Sequence, residues 1–339
     1  MINLISDTVT KPSPEMLAHM MSAEVGDDVF GEDPSVNALE NYAATLFGKE
    51  KAIFCPSGTM TNQIAIKCHT QPLDEVICDH YSHVYQYETG GYAFNSNVAI
   101  NLIEGTNGKI TADQIEAVIK PVYDWLPISK LVVLENSCNK GGGSYYTKEE
   151  ILPITELCKQ KDLKLHLDGA RLFNVLVETK ESPAEIGALF DSISICISKG
   201  LGAPVGSLLI GTEALIRQAR RYRKVMGGGM RQAGYLAAAC KFALENNVDR
   251  LKIDNHKAKE LGRLLSSMSY VKSVRPVETN IVIFDLVDGL SAERFLDVMK
   301  ENNIIGSAFG PATVRFVTHL DYTDDMHDKT LEILKKVNP

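Results

Sequence analysis

Two chemically reactive side chains follow two neighbouring apolar runs of this sequence. Asp168 follows the run 163–167, and Lys199 comes shortly after the run 192–197. The segment between them has the length of one crossover connection, which would place the ends of two parallel strands side by side. Ligands bind at the carboxyl ends of the strands in open α/β sheets. We therefore expect Asp168 and Lys199 to face one ligand site.

A lysine and a carboxylate in this arrangement suit the cofactor pyridoxal 5′-phosphate (PLP). A lysine in a recessed apolar site loses its proton more readily and can form an imine with an aldehyde. PLP sites also need an acid that keeps the pyridine nitrogen protonated. Taken singly, Asp168 could cap a helix or lie in a surface loop, and Lys199 could be an exposed residue beside glycines. The two residues together favour the PLP interpretation.

A turn at 56–59 and a histidine add to this interpretation. Gly58 would let the backbone approach an anion, and the helix predicted to follow would offer free N–H groups to a phosphate. This signal is weak by itself, but neither a GxGxxG nor a Walker A sequence is present. His83 could stack on the PLP ring, although a single histidine is more often an ordinary surface or core residue. His80 lacks the carboxylate or cysteine partners of a metal site, so no metal is predicted.

The elements that would position these residues alternate between helices and strands. Helices are predicted at 34–47, where Pro34 follows Asp33, near 60–68, and after the capping-box residues Thr111 and Thr147. Short apolar runs that suit strands buried on both faces lie at 51–55, 131–134, 163–167, 192–197 and 207–210. This alternation predicts an α/β fold with a mostly parallel sheet.

A second region begins near residue 250. An amphipathic helix at roughly 247–268 precedes strands at 280–285 and 313–317, with a helix that starts at Ser291 between them. We predict an N-terminal segment and large PLP-binding domain over 1–246, and a small α+β domain over 247–339.

The composition excludes several classes of function. The chain has 339 residues and a net charge of −8, which argues against a nucleic-acid partner. No apolar run reaches the roughly 18 residues of a membrane span, and the first residues lack the apolar core of a signal peptide. The seven cysteines are odd in number and form no CxxC, so a cytoplasmic protein with reduced thiols is expected. Taken alone, the basic cluster at 217–224 suits a solvated helix face.

Longer segments resemble the low-specificity L-threonine aldolases, a branch of PLP fold type I (the aspartate aminotransferase fold). The matching segments run in the same order over essentially the whole chain: SDTVTKP (6–12), VGDDVFGEDPSVNALE (25–40), PSGTMTN (56–62), HVYQYETGG (83–91), LHLDGARLFN (165–174), SKGLGAPVGSLL (198–209), GGGMRQAG (227–234) and VRFVTHLD (314–321). The resemblance implies a lyase that cleaves L-threonine, L-allo-threonine and other L-β-hydroxy-α-amino acids to glycine and an aldehyde.

The resemblance also implies which residues hold the cofactor. Lys199 would be the Schiff-base lysine, Asp168 would bind the pyridine nitrogen, and Arg171 would bind the phenolic oxygen. Gly58 and Thr59 would hold the phosphate.

Further roles concern the substrate and the neighbouring subunit. The resemblance implies that His83 stacks on the ring and stays close to the substrate hydroxyl, and that Ser6 and Arg315 bind the substrate carboxylate near Arg171. Lys224 and Arg231 would reach the phosphate in another subunit's site. A homo-oligomer, typically a tetramer, with shared active sites is therefore expected.

Three positions depart from the usual pattern of the relatives. Many relatives have a histidine in the loop 122–127, where this chain has Trp125, which we expect to contact the substrate. Relatives commonly read LENTHN where 134–139 reads LENSCN with Cys138, and a tyrosine often stands at the position of Phe30. Because the predicted cofactor residues are intact, these changes bear on the substrate.

Two alternative functions stay open at this point. One is a different PLP reaction on an amino acid, such as β-elimination or transamination. The other is a PLP-binding homologue without catalytic activity. A protein that only binds PLP does not need both an imine-forming Lys199 and a carboxylate clamp at Arg315, which argues against the second alternative.

Overall fold

The apolar runs of the sequence become strands in the computed structural model, which describes residues 1–339. The strands are β1 (Ile2–Asn3), β2 (Lys51–Cys55), β3 (Asp74–Asp79), β4 (Ala99–Ile103), β5 (Ile128–Glu135), β6 (Lys164–Gly169), β7 (Ser192–Cys196), β8 (Ser207–Gly211), β9 (Val271–Val274), β10 (Ile281–Leu286), β11 (Ile304–Ile305), β12 (Ser307–Ala308) and β13 (Thr313–Val317). All five predicted apolar runs of the first 250 residues are therefore strands.

Helices follow most of these strands. They are α1 (Pro14–Met21), α2 (Pro34–Leu46), α3 (Gly58–His69), α4 (His83–Gln86), α5 (Gly91–Ser96), α6 (Ala112–Val118), α7 (Lys148–Gln160), α8 (Leu172–Thr179), α9 (Pro183–Gly187), α10 (Glu213–Val225), α11 (Gly234–Asn246), α12 (Leu251–Leu265), α13 (Ala292–Glu301) and α14 (Asp324–Lys336). The predicted helix starts are present: Asp33 accepts a hydrogen bond from the backbone of Val36, and Thr111 forms a capping box with Gln114. At Thr147 the Glu150 side chain accepts from the Thr147 backbone N–H.

Seven strands form the central sheet in the order β2-β8-β7-β6-β5-β3-β4. β8 is antiparallel to both neighbours, whereas β3 to β7 run parallel to one another. Helices cover both faces, because Leu208 and Ile210 of β8 join one hydrophobic cluster and Leu209 joins another. The predicted α/β fold with a mostly parallel sheet is confirmed.

The parallel register sets which side chains meet at the edge of the sheet. Glu135 at the end of β5 lies opposite Asp168 of β6, and Asp168 lies opposite Ser194 of β7. Lys199 follows β7 after two residues. The carboxyl ends of β5, β6 and β7 therefore lie side by side, and the residues that follow these strands meet at one edge of the sheet.

A second sheet, β12-β13-β10-β9, is antiparallel and packs with α12, α13 and α14. Its core contains Phe284, Phe295 and Phe316, with ring centroids of Phe284 and Phe316 separated by 5.4 Å. Leu4 of the N-terminal segment joins this core, and β1 pairs with β11. The predicted helix at 247–268 is shorter in the structure, and the domain boundary at 247 stays a prediction.

None of the fourteen helices combines the length and the apolar character that crossing a bilayer requires.

Candidate active site

The carboxyl ends of β6 and β7 and the start of α3 enclose a cavity. Five of the residues predicted for the cofactor line it: Gly58, Thr59, His83, Asp168 and Lys199. These residues are separated by up to 141 positions in the chain. The structure therefore brings together the lysine, the carboxylate, the histidine and the glycine turn that sequence reasoning associated with one another.

Asp168 and Lys199 differ in how the protein engages them. The carboxylate of Asp168 is buried and accepts hydrogen bonds from Asn62 Nδ2 at 2.8 Å and from the backbone of Ala170 at 3.2 Å. Lys199 is half-buried, lines the same cavity and has no hydrogen-bond or ion-pair partner in the protein. A buried carboxylate without a cationic partner suits a protonated ring nitrogen, and a lysine whose Nζ no protein group engages is available to form an imine once it has lost its proton.

The start of α3 has the features of an anion site. Ser57 caps the helix by accepting a hydrogen bond from the backbone of Met60 at 3.2 Å. A side chain at position 58 would collide with the Cys196 sulfur, so only glycine lets the turn approach the end of β7 this closely. The free N–H groups of the first helical turn and the helix dipole favour a phosphate there.

His83 belongs to a buried polar cluster. Its Nδ1 lies 2.9 Å from Oε1 of the buried Glu88, and that carboxylate also accepts hydrogen bonds from Asn62 at 2.9 Å and Gln63 at 2.5 Å. Burial opposes protonation of the ring, but the hydrogen bond to Glu88 and the nearby Asp168 carboxylate raise its pKa above the usual value. The ring is thus oriented through Nδ1, which leaves Nε2 available to a ligand.

Glu135 is a second buried carboxyl beside Asp168. Its two oxygens accept hydrogen bonds from the backbone N–H groups of His83 and Asn139, each at 2.8 Å. Burial, and then the negative charge of Asp168, raise the pKa of Glu135 to about 7. Glu135 therefore holds the loop of His83 and the loop of Asn139 at the same strand end.

Arg171 and Asp7 form a buried ion pair next to this cavity. Arg171 donates through Nε and Nη2 to the two oxygens of Asp7, both at 2.7 Å, and Asn280 donates to Asp7 at 3.1 Å. Burial alone would raise the pKa of Asp7, but Arg171 holds it well below its usual range. The pair ties the N-terminal segment, which includes Ser6, to the end of β6.

Arg315 is half-buried and has no carboxylate partner. It donates to the Asn139 side chain at 2.9 Å and to the backbone oxygen of Ile5 at 3.1 Å, while its Nε has no partner. Burial, and then the charge of Arg171, lower the pKa of Arg315 to about 10. Such an uncompensated cation suits the carboxylate of a ligand. The side chain of Ser6 is buried and accepts hydrogen bonds from Thr8.

Six predicted site residues do not line this cavity. Three of them, Ser6, Arg171 and Arg315, are described above, and the other three are Lys224, Arg231 and Trp125. Lys224 borders a larger surface cavity of about 750 Å³ that also includes Phe30. Arg231 is exposed and pairs with Asp27 at 2.9 Å. Trp125 is 76% exposed and stacks on Tyr123 with ring centroids 4.8 Å apart. Within one chain, none of the three contacts the residues around Lys199.

Sequence reasoning missed three members of the site: Asn62, Glu88 and Glu135. Each had a signal, because Asn62 and Glu88 lie in the quoted segments PSGTMTN and HVYQYETGG, and Glu135 ends the strand beside Asp168. Their roles depend on contacts between distant segments, which the sequence alone does not specify.

The fold is that of PLP-dependent enzymes of fold type I. The family model of the beta-eliminating lyases matches residues 3–288. The low-specificity L-threonine aldolase of Escherichia coli K12 is 42% identical over 322 residues, which cover 95% of this chain and 94% of that protein. This chain belongs to the beta-eliminating lyase family, in the branch of the low-specificity L-threonine aldolases.

Solved structures agree on the fold. The threonine aldolase of Leishmania major has a TM-score of 0.84 at 23% identity, with 99% of each chain covered. A serine palmitoyltransferase from S. paucimobilis with bound PLP has a TM-score of 0.79 at 16% identity, covering 98% of this chain and 86% of that one. The predicted family, fold type and lyase class are confirmed.

Glu135 should make stability fall as the pH rises. With a pKa raised from 4.5 to about 7 in the folded protein, it binds a proton between these values that the unfolded chain has released. The free energy of unfolding should therefore decrease through this window. Glu135→Gln removes this contribution, so the variant should gain stability relative to wild type as the pH increases from 5 to about 7.5. Urea unfolding of both proteins at matched cofactor occupancy measures the difference.

Glu293→Gln, at an exposed position in the first turn of α13, is the control and should keep the wild-type pH dependence. Parallel stability curves for wild type and Glu135→Gln would contradict the raised pKa.

Proposed function

We propose that this protein is a PLP-dependent aldolase that cleaves L-threonine and L-allo-threonine to glycine and acetaldehyde, and other L-β-hydroxy-α-amino acids to glycine and the corresponding aldehyde. The observation that carries the proposal is the single cavity that contains Lys199, buried Asp168 and His83, in a chain 42% identical to a low-specificity L-threonine aldolase.

The residues around the cavity fit the parts of PLP. Lys199 would hold the cofactor through Nζ, Asp168 would accept a hydrogen bond from its ring nitrogen, and Gly58 and Thr59 would bind its phosphate. Arg171 would reach the phenolic oxygen with the nitrogen that Asp7 does not use. When bound, PLP withdraws electrons from the substrate Cα, which allows a bond at that carbon to break.

The substrate would be oriented by its carboxylate. Arg315 offers a half-buried guanidinium whose buried Nε is unpaired, and Ser6 lies in the segment whose Ile5 oxygen accepts from Arg315. A carboxylate held there fixes the rotation about the substrate Cα and so decides which of its bonds is cleaved. His83 would stack on the cofactor, with Glu88 fixing its orientation.

His83 Nε2 is our candidate for the base. It would accept the β-hydroxyl proton as the Cα–Cβ bond breaks and the aldehyde leaves, and a proton delivered to Cα would then give glycine. Because Glu88, Asp168 and Glu135 raise the pKa of His83, the neutral ring needed for this step becomes populated only as the pH rises through that value.

We also propose a cytoplasmic homotetramer with shared sites. The free state of all seven cysteines supports a reducing compartment. Lys224 and Arg231 support shared sites, because both face outward from their own chain and resemble residues that relatives donate to a neighbouring subunit.

A second candidate function is β-elimination on the same scaffold, which the family description beta-eliminating lyase favours. The two reactions differ in products, since elimination releases ammonia and a keto acid instead of glycine and an aldehyde.

The first test of the proposed function is product analysis with the purified holoenzyme. L-threonine should yield equal amounts of glycine and acetaldehyde, and borohydride reduction should fix PLP on the peptide that contains Lys199. Asp168→Ala should lower kcat by about 100-fold, because an unprotonated pyridine withdraws electrons poorly. Lys252→Ala, at an exposed position on α12, should keep wild-type activity. Formation of ammonia and keto acid, or PLP fixed on another lysine, would contradict the proposal.

Shared sites predict complementation between inactive variants. Arg231→Ala and Lys199→Ala chains are mixed under conditions that exchange subunits, and some hybrid sites then contain neither lesion, so activity should return. A mixture of Lys199→Ala and Asp168→Ala chains is the control, because both residues line the cavity of the same chain. That mixture should stay inactive. Hybrids that form without regaining activity would contradict a contribution of Arg231 to a neighbouring site.

Trp125 predicts broad acceptance of β-epimers. An indole has one N–H donor and a large apolar face, whereas an imidazole could hold the substrate hydroxyl. Trp125→His should therefore shift the ratio of kcat/KM for L-threonine and L-allo-threonine by about ten-fold, the effect of one well-placed hydrogen bond. Tyr123→His, at the stacked neighbour, should leave the ratio unchanged. An unchanged ratio in Trp125→His would leave His83 as the residue that reads the hydroxyl.

A further inference from the structure

One buried amide connects the two halves of the candidate site. Asn62 lies on α3, lines the cavity and is 1% exposed. Its Nδ2 donates to Asp168 at 2.8 Å and to Glu88 at 2.9 Å. Asp168 is the proposed partner of the ring nitrogen, and Glu88 orients His83. The same NH₂ group therefore contacts the carboxylates that serve the cofactor and the base.

The other end of Asn62 is held by a chain of hydrogen bonds inside the sheet. Its Oδ1 lies 3.2 Å from His166 Nε2, His166 Nδ1 lies 2.8 Å from Ser192 Oγ, and Ser192 Oγ lies 2.7 Å from His69 Nε2. These residues come from α3, β6 and β7. This series of hydrogen bonds ends at His69, the last residue of α3, at the opposite end of that helix from Gly58.

The carboxylates determine the direction of every bond in this chain. Because a carboxylate only accepts, the NH₂ group of Asn62 must face Asp168 and Glu88, and its Oδ1 must accept from His166 Nε2–H. His166 Nδ1 then accepts from the hydroxyl of Ser192, whose oxygen accepts from His69 Nε2–H. Donation consequently runs in one direction, from His69 towards the cavity.

Both histidines stay neutral over the working pH range. Burial, and then the neighbouring His69, lower the pKa of His166 to about 3, and burial lowers the pKa of His69 to about 4. A neutral imidazole has one donor and one acceptor. A residue in the middle of this series of hydrogen bonds needs both, because it accepts from one neighbour and donates to the next. The orientation of Asn62 is therefore constant between pH 5 and 9, roughly the range in which these rings carry no charge.

We propose that Asn62 is a positioning residue that fixes Asp168 and the His83–Glu88 pair relative to each other, with its amide aimed by His166, Ser192 and His69. Hydrogen bonds to an ionised carboxylate favour the ionised form, so Asn62 would help Asp168 to keep a bound ring nitrogen protonated. This inference rests on the proposed function, because it takes Asp168 as the partner of PLP.

The test compares Asn62→Ala with Gln63→Ala in the holoenzyme. Gln63 is also buried and donates to Glu88, but it makes no bond to Asp168. Asn62→Ala should weaken PLP binding about ten-fold, shift the pH titration of the visible absorbance band, and lower kcat more than it changes KM. Gln63→Ala should alter the pH profile of kcat through His83 and should keep the PLP dissociation constant within about two-fold of wild type.

Ser192→Ala tests the middle of the series of hydrogen bonds that runs from His69 to Asn62. It removes the hydroxyl that fixes the tautomer of His166 without touching the cavity, so it should change PLP affinity and absorbance in the same direction as Asn62→Ala, by about three-fold. If Asn62→Ala does not fold, Asn62→Ser, which keeps a polar group at the site, replaces it in the same comparison.

The outcomes separate this inference from the proposed function. PLP affinity and absorbance titration unchanged in the folded Asn62 variant would overturn the inference, and so would identical effects of the Asn62 and Gln63 variants on PLP affinity. A wild-type holoenzyme that binds PLP but releases no glycine from L-threonine would overturn the proposed function, while the PLP measurements would still decide the role of Asn62.

Discussion

The burial of Asp168 at the end of β6 is the constraint on which the rest of the site depends. Its carboxylate is 3% exposed and no arginine or lysine pairs with it. Moving such a charge out of water is costly unless hydrogen bonds or a cation compensate it. The parallel register places Glu135 directly opposite, and two adjacent buried charges of the same sign are unfavourable, so the pKa of Glu135 rises to about 7. Glu88, a third buried carboxylate, is shared between Asn62 and His83. The electrostatic balance of the cavity is therefore negative, and it favours a ligand with a protonated nitrogen.

The side of the site formed by the N-terminal segment and the small sheet has the opposite character. Two guanidinium groups lie there, the buried Arg171 and the half-buried Arg315. Only Arg171 has a carboxylate partner, Asp7, which Asn280 of the small sheet region also contacts. Arg315 on β13 is held by neutral acceptors alone, one of them the side chain of Asn139. A zwitterionic amino acid matches this separation of charge, with its amino group towards the acidic strand ends and its carboxylate towards Arg315. The N-terminal residues thus contribute to function as well as to packing, because they complete the basic side.

The sequence predicted the parts of this structure that depend on local pattern. The apolar runs, the caps at Asp33 and Thr111, and the order of strand, turn and helix around Gly58 each follow from residues close together in the chain. β3 and β4 were not predicted, because β3 begins and ends with aspartate and β4 is a partly exposed edge strand with little alternation. The network around Asn62 was missed for a different reason: its members lie up to 130 positions away from Asn62, and His69 of α3 meets Ser192 of β7 only in the folded chain. Family resemblance supplied residue roles, but it did not reveal which buried groups connect them.

Several exposed residues are better explained by a partner chain than by this chain alone. Phe30 is 72% exposed, the Arg231 guanidinium lies over its ring at 5.8 Å, and the basic residues of α10 border the same surface cavity as Lys224. Trp125 and Tyr123 present a stacked pair of rings to solvent on another part of the surface. Large exposed apolar rings are unfavourable on an isolated monomer but typical of surfaces that become buried on association. In the monomer, only the turn at Gly58 and the start of α3 would bind the phosphate of an anionic cofactor. Most of the negative charge of that phosphate would then stay uncompensated, since no arginine or lysine other than Lys199 lines the cavity. Cations supplied by a second chain would correct this imbalance, which gives assembly a direct electrostatic link to cofactor binding.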